Sequence, residues 1–135
     1  MALLPPAKAS GFPSRQFVMK GVIEIPDSVG GMAVTRIADE AFKDCNAITS
    51  AVILESISEM GERAFYNCQA MTSIAIPSSI ARISDFLLCN CYSLKNIIFR
   101  GTTEQWNTLE KGTAWNVGID LFECLITCTD GTLSF

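Results

Sequence analysis

Three of the six cysteines, Cys45, Cys68 and Cys91, lie 23 residues apart, and by type they are the residues best suited to chemistry. Thiols form disulfides, bind metals and act as nucleophiles. The chain contains no histidine, so it lacks the commonest general base and the commonest metal ligand. A cysteine or serine nucleophile activated by histidine is therefore excluded within this chain.

The spacing of these thiols also argues against a bridge or a metal centre. Neighbouring units of a repeat would hold them about 5 Å apart, which on distance alone permits a disulfide. Three thiols in a row cannot all pair, however, and the chain has no CxxC pair of the kind that holds zinc. We favour reduced thiols packed in a core over a bridge or a metal site. We expect one of Cys89 and Cys91 to point outward and Cys124 to point inward.

The acidic residues supply no alternative catalytic centre. Asp85, Asp120, Glu123 and Asp130 show no paired spacing that sets them apart as an acid and a base. The sequence therefore predicts a protein that is not an enzyme and that holds no metal and no cofactor.

The 23-residue step of the cysteines extends to the residues around them. Ala41-Phe42, Ala64-Phe65 and Leu87-Leu88 precede the three cysteines, and Ile48, Met71 and Leu94 follow them. A fixed period of 20 to 50 residues is typical of a solenoid, whose units bury their apolar sides only against each other. Such arrays present a surface for binding more often than a pocket for catalysis.

Each unit contains a short apolar-x-apolar triplet, which has the period of a β-strand with two inward side chains. The triplets are Ile23-x-Ile25, Ala51-x-Ile53, Ile74-x-Ile76, Ile97-x-Phe99 and Cys124-x-Ile126. They predict about five short parallel strands. In this alignment Leu121 takes the place of Leu94 as the apolar residue before the last strand. The Ala-Phe pairs suggest a tight helical turn on the return side of each coil.

The segment after the repeats has the features of a cap. A short helix is predicted from Thr103 to Leu109, with Thr102 or Thr103 as its N-cap and Trp106 facing inward. Trp106 and Trp115 could form a pair that stacks on a sugar. We favour the simpler interpretation that they plug the end of the core.

The outward positions of the strands indicate a candidate contact surface. They hold Glu24, Val52, Ala75, Ile98 and Leu125 in the predicted alignment, and Glu55, Lys95 and Arg100 flank them. A solvated sheet face should be mostly polar, yet four of these five residues are apolar. Two alternatives to a contact surface stay open, because such residues also favour strands in general, and a neighbouring subunit or a further coil could cover them.

The chain totals bound the remaining possibilities. The 135 residues fit one domain, and a net charge of −4 with no basic stripe disfavours nucleic-acid binding. No apolar run is long enough to cross a bilayer, which takes about 20 residues. The opening segment does not look like a secretory signal, and we expect residues 1–20 to be poorly ordered or the remnant of a longer repeat protein. The repeat domain is predicted over residues 21–135, with repeats to about residue 100 and the cap at about 101–135.

The repeating unit resembles the BspA-like leucine-rich repeats of bacterial surface proteins. The resemblance rests on Ile76-Pro77-Ser78-Ser79-Ile80 and on the run from Ala64 to Ser73, and it extends from about Gly21 to Thr132. It implies an α/β leucine-rich-repeat solenoid with short helical or irregular return segments and a C-terminal cap.

The same resemblance implies a function without catalysis. We expect a protein-protein interaction or adhesion module, on the cell surface or secreted, that recognises a host or cell-surface protein, or a glycan, through the exposed sheet face. The alternative is a structural spacer that displays other parts of a larger surface protein. The candidate contact residues are Val52, Glu55, Ala75, Ile98, Arg100 and Leu125, and self-association through the same face is also possible.

Overall fold

A computed structural model of the protein describes residues 2–3 and 20–135. The prediction that residues 1–20 form a poorly ordered or remnant segment falls almost wholly outside the described residues. The described part of that segment consists of Lys20, at the start of a strand, and Ala2–Leu3, which form a strand of their own.

The described chain consists of short strands and one short helix. The strands are β1 (Ala2–Leu3), β2 (Lys20–Ile25), β3 (Ser28–Val29), β4 (Met32–Ala33), β5 (Arg36–Ile37), β6 (Ala47–Ile53), β7 (Glu59–Met60), β8 (Ser73–Ile76), β9 (Arg82–Ile83), β10 (Asn96–Phe99), β11 (Glu110–Lys111), β12 (Leu125–Cys128) and β13 (Gly131–Ser134). The helix is α1 (Thr103–Thr108).

The main sheet stacks one strand from each coil. Its order is β13-β12-β10-β8-β6-β2. In this sheet β2, β6, β8, β10 and β12 run parallel to one another, and β13 returns antiparallel to β12. The register pairs Ala51 with Ile74 and Ile74 with Ile97, and all three side chains are fully buried. The predicted parallel-strand solenoid is therefore confirmed, with the apolar-x-apolar triplets of the first four units facing the core.

A second, narrower side of the solenoid is built from two-residue strands. β5 pairs with β7 and β9 pairs with β11, and β1 lies parallel to β5 on its other edge. The exposed positions of this side alternate in charge along the array. Arg36 lies 3.8 Å from Glu59, and Arg82 lies 3.6 Å from Glu110. Opposite charges on neighbouring strands favour this register, because a slip of one residue would separate Arg36 from Glu59.

The return side consists of consecutive turns, and the predicted helical turn at Ala41-Phe42 is wrong. Glu40 and Asp44 both adopt left-handed backbone conformations, with φ of 58° and 62°. Alternate backbone N–H groups donate to the next coil instead of along a helix, as Phe42 N–H does to the Ala64 carbonyl at 2.7 Å. Hydrogen bonding between coils therefore competes successfully with local helix formation. The predicted burial of Ala41 and Phe42 is correct.

Aromatic side chains run through the core toward the C-terminal end. The rings of Phe42 and Phe65 stack with centroids 5.1 Å apart, and at the far end Phe99, Trp106 and Trp115 pack edge to face. Trp106 is 3% and Trp115 8% exposed, so both plug the core and neither presents a face to a sugar.

Helix α1 begins after Thr102, one of the two residues predicted as its N-cap, and its C-cap is Leu109. Thr102 and Gln105 form a capping box, in which the Thr102 side chain accepts from Gln105 N–H and the Gln105 side chain accepts from Thr102 N–H. At the other end, the Lys111 ammonium donates to the carbonyls of Trp106 and Leu109 and lies over the Trp106 ring. Partial burial lowers the pKa of Lys111.

The repeating cysteines are structural side chains. The thiols of Cys68 and Cys91 are fully buried and donate to the Phe42 and Phe65 carbonyls of the preceding coil, at 3.1 and 3.2 Å. Burial raises the pKa of both thiols, that of Cys91 to about 12, so they stay protonated at neutral pH. The expectation that Cys89 or Cys91 points outward is wrong, because Cys89 is also buried at 6% exposure.

The last strand departs from the predicted alignment by two residues. Ile126, not Cys124, pairs with Ile97. Leu121 is 44% exposed instead of anchoring the core, and Phe122 beside it is completely exposed. Cys124 is buried as predicted, because a shift of two residues keeps the same side chains inward. The closing unit is longer than the others because it includes α1. Its extra length changes which residues of β12 lie beside those of β10, but the same side chains of β12 still face the core.

The stacked phenylalanines provide a test of the core. Phe65→Ala should lower the free energy of unfolding by about 3 to 5 kcal/mol, because it opens a cavity beside Phe42. Phe122→Ala is the matched control and should change the free energy of unfolding by less than about 0.5 kcal/mol, because the Phe122 ring is fully exposed in the folded protein. Urea unfolding followed by circular dichroism measures both, and equal losses would contradict the assignment.

A second test concerns the closest approach between coils. A Cβ atom at Gly61 would lie 2.4 Å from the backbone nitrogen of Asp39 in the preceding coil. Gly61→Ala should therefore force the coils apart and cost about 1 to 3 kcal/mol of stability. Gly131→Ala serves as the control, because its new methyl group would meet only Thr103 at 3.9 Å. A Gly61→Ala protein as stable as the control would show that the coils are not packed this closely.

Candidate functional site

The acidic residues considered for catalysis are spread over the molecule, and each has a structural contact. Asp85 accepts a hydrogen bond from Thr113 N–H at 2.8 Å, and Asp120 accepts from Phe122 N–H at 3.0 Å. Asp130 accepts from Thr103 N–H at 2.8 Å, beside α1. Glu123 forms an ion pair with Lys95. These contacts stabilise turns and the cap and do not bring the carboxylates together.

The outward face of the main sheet contains most of the predicted contact residues. Its central positions form a first outward row, one residue per strand from β2 to β12: Glu24, Val52, Ala75, Ile98 and Thr127. Val52 and Ile98 are half-buried, and Ala75 between them is only 6% exposed. Three predicted residues, Val52, Ala75 and Ile98, are therefore direct neighbours.

Leu125 does not belong to this row. The register pairs Leu125 with Asn96 and places Thr127 beside Ile98, because the closing unit is shifted by two residues. The predicted run of four apolar outward residues is thus three residues long. Leu125 is nevertheless 45% exposed on the same face.

A second outward row, which the sequence analysis missed, lies beside the first toward the start of the strands. Its members are Val22, Ser50, Ser73, Asn96 and Leu125. The hydroxyl oxygens of Ser50 and Ser73 are 2.8 Å apart, and Thr127 of the first row is hydrogen bonded to Asn96 at 2.9 Å. The 23-residue spacing of Ser50, Ser73 and Asn96 is the signal that could have revealed it.

The predicted flanking charges differ in how they are engaged. The carboxylate of Glu55 accepts from the backbone and hydroxyl of Ser78 in the next coil, at 3.4 and 3.2 Å. The Lys95 ammonium donates a hydrogen bond to the Glu123 carboxylate, and this bond raises the pKa of Lys95. Arg100 is exposed and forms no ion pair with any residue that the structure describes. Arg100 can therefore form an ion pair with an acidic group of a partner.

Further exposed apolar side chains lie outside the two rows. Phe122 is 100%, Tyr92 54% and Val117 53% exposed. They belong to the closing coils, and the Tyr92 ring packs near the backbone of Gly118. Single exposed apolar residues are common on proteins, so these residues mark the surface at the C-terminal end without defining a pocket.

Two properties of the described residues bear on metal binding and on membranes. No group of three or more cysteine, aspartate or glutamate side chains in residues 2–3 and 20–135 is placed to hold a metal ion. Over the same residues, no helix has the length and apolar character needed to cross a bilayer.

Solved structures of bacterial leucine-rich repeat proteins resemble this fold. A leucine-rich repeat protein of Bacteroides ovatus is 26% identical, with a TM-score of 0.62 over 79% of this chain and 29% of its own. The leucine-rich repeat protein of T. pallidum is 22% identical, with a TM-score of 0.57 over 65% of this chain and 45% of its own. The chain thus spans less than half the length of either protein. No curated protein matches it.

The family is shown by the repeat itself. The model of the BspA type leucine rich repeat region matches residues 21–119 in six copies. This span contains all but the first residue of β2, the strands β3 to β11 and every 23-residue step of the cysteines. The chain belongs to the BspA-type leucine-rich repeat family.

Proposed function

We propose that this protein is a non-enzymatic interaction module that recognises a protein partner through the outward face of its main sheet. The observation that carries the proposal is the run of Val52, Ala75 and Ile98 on a face that should be polar if only water met it. Proteins of leucine-rich repeat families are commonly interaction modules, which supports this assignment.

The chemistry of the face suits a flat protein surface. The apolar centre of the first outward row supplies area to be removed from water. The neighbouring hydroxyl and amide groups of Ser50, Ser73 and Asn96 offer hydrogen bonds beside it. Arg100 adds a cation suited to a carboxylate of the partner.

We place this recognition at the cell surface or outside the cell, with adhesion to a host or cell-surface protein as its role. The support is the family, whose members are associated with bacterial surfaces. A glycan partner is less well supported, because the two tryptophans that would stack on a sugar are buried.

A structural spacer is the second candidate function, and the small size of the face favours it. Five parallel strands about 4.8 Å apart span only about 19 Å across the array. A stable interface buries about 800 Å² on each partner, which is more than a face of this width provides by itself. In this alternative the coils hold other parts of a larger surface protein apart.

A paired substitution separates the two functions. In the variant carrying Val52→Asp and Ile98→Asp, two buried carboxylates would replace the apolar contact, so partner binding should fall by at least about a hundredfold. Val117→Asp is the matched control, because Val117 is exposed but lies off the sheet face. Binding is measured by capture from extracts of host cells, followed by titration of the retained protein.

Retention by the wild type and the control, but not by the paired variant, supports recognition through this face. Retention by all three proteins would show that another surface binds the partner. If the wild type itself retains no protein, the spacer function is favoured. Circular dichroism of each variant establishes that the fold is intact.

A further inference from the structure

The two outward rows are symmetric in residue type about the central strand β8. Read outward from the central strand β8, each row has the same kind of residue on both sides. In the first row Ala75 is central, apolar Val52 and Ile98 flank it, and polar Glu24 and Thr127 lie at the ends.

The second outward row follows the same rule with the polarity reversed. Ser73 is central and polar Ser50 and Asn96 flank it. The ends are apolar and exposed, Val22 at 72% and Leu125 at 45%. The register shift of the closing unit produces this match, because it moves Leu125 to the end of the second row and Thr127 to the end of the first.

A surface patterned in this way is complementary to itself. An interface between identical subunits with two-fold symmetry requires one patch to match its own copy after rotation. A two-fold axis that runs along β8, in the plane between two facing sheets, reverses the order of the coils. Val52 then faces Ile98 of the other copy, and Val22 faces Leu125.

We propose that the outward face of the main sheet binds the same face of a second copy, with the two-fold axis along β8. This inference rests on the sheet face named in the proposed function and assigns it a partner, a second molecule of this chain. Apolar positions meet apolar positions, and the serine and asparagine side chains meet each other.

The charges at the edge of the face support a second copy of the chain as its partner. Arg100 follows β10, and its backbone N–H donates to the Ile76 carbonyl, which aligns it with Pro77 and Leu54 in the neighbouring coils. The axis places Arg100 opposite Leu54 of the second copy, next to Glu55. The arginine that lacks an ion pair among the described residues therefore meets a carboxylate, twice in each dimer.

The sizes of the side chains suit close approach at the axis. Ser73 and Ala75, the smallest pair on any strand of the face, lie on the axis itself, where the two backbones come nearest. The bulkier Val52 and Ile98 lie to either side. Facing sheets pack about 10 Å apart, and the area of this face is small, so the dimer should be weak and reversible.

Sedimentation equilibrium of the full chain, from micromolar concentrations to about 1 mM, tests the proposal. The wild type should show a concentration-dependent dimer. Ala75→Glu should weaken association by more than about tenfold, because it sets two carboxylates against each other at the axis. Ala81→Glu, the same change at an exposed alanine off the face, should leave association unchanged.

Charge reversal tests the orientation. Arg100→Glu and Glu55→Arg should each weaken the dimer, and the two changes combined should restore it. Failure of the combination to restore association would overturn the proposed axis. A wild type that stays monomeric, or a dimer indifferent to Ala75→Glu, would overturn the self-association itself. Those last two results leave capture of another protein by the face untouched, because that capture is measured at concentrations at which the chain is monomeric.

Discussion

Backbone hydrogen bonds between successive coils are the constraint on which the structure depends. Parallel strands connect the coils on the main sheet, and on the return side Phe42 N–H donates to Ala64 and Phe65 N–H donates to Leu87. Each coil thereby fixes the position of the next, and side chains one repeat apart become direct neighbours. The stacked rings of Phe42 and Phe65, the buried thiols of Cys68 and Cys91 and the two outward rows all follow from this register.

Much of the fold could be predicted because burial restricts which residues are allowed. Isoleucine, phenylalanine and cysteine recur every 23 residues since each fills the same volume of the core, and their spacing revealed the strands and the array. The return turns could not be predicted as easily. Their left-handed residues include Glu40 and Arg63, whereas glycine is the residue that normally signals such a conformation. The alternating charges of Arg36, Glu59, Arg82 and Glu110 likewise become meaningful only once the strands are paired.

The candidate site was predicted in part, and the missing part has one physical cause. A strand repeats its orientation every two residues, so Cys124, Ile126 and Cys128 are all buried and give no means of choosing between two registers from sequence. The sequence alignment selected the register that places Leu125 beside Ile98, whereas the structure places Thr127 there. Val52, Ala75 and Ile98 were placed correctly because the units that contain them keep the 23-residue length. The symmetry of the face became visible only with the corrected register.

The register places equivalent residues of successive coils side by side on the outward face, so neighbouring positions should be within reach of a disulfide. Disulfide trapping at Ser50 and Ser73 measures this, because their hydroxyl oxygens are 2.8 Å apart. With Ser50→Cys and Ser73→Cys combined, mild oxidation should form a bridge between positions 50 and 73, identified by peptide mass mapping. The combination of Ser50→Cys and Asn96→Cys should form none within one molecule, since those strands are about 9.6 Å apart. A bridge in the second variant and not in the first would contradict the register and the contact face derived from it.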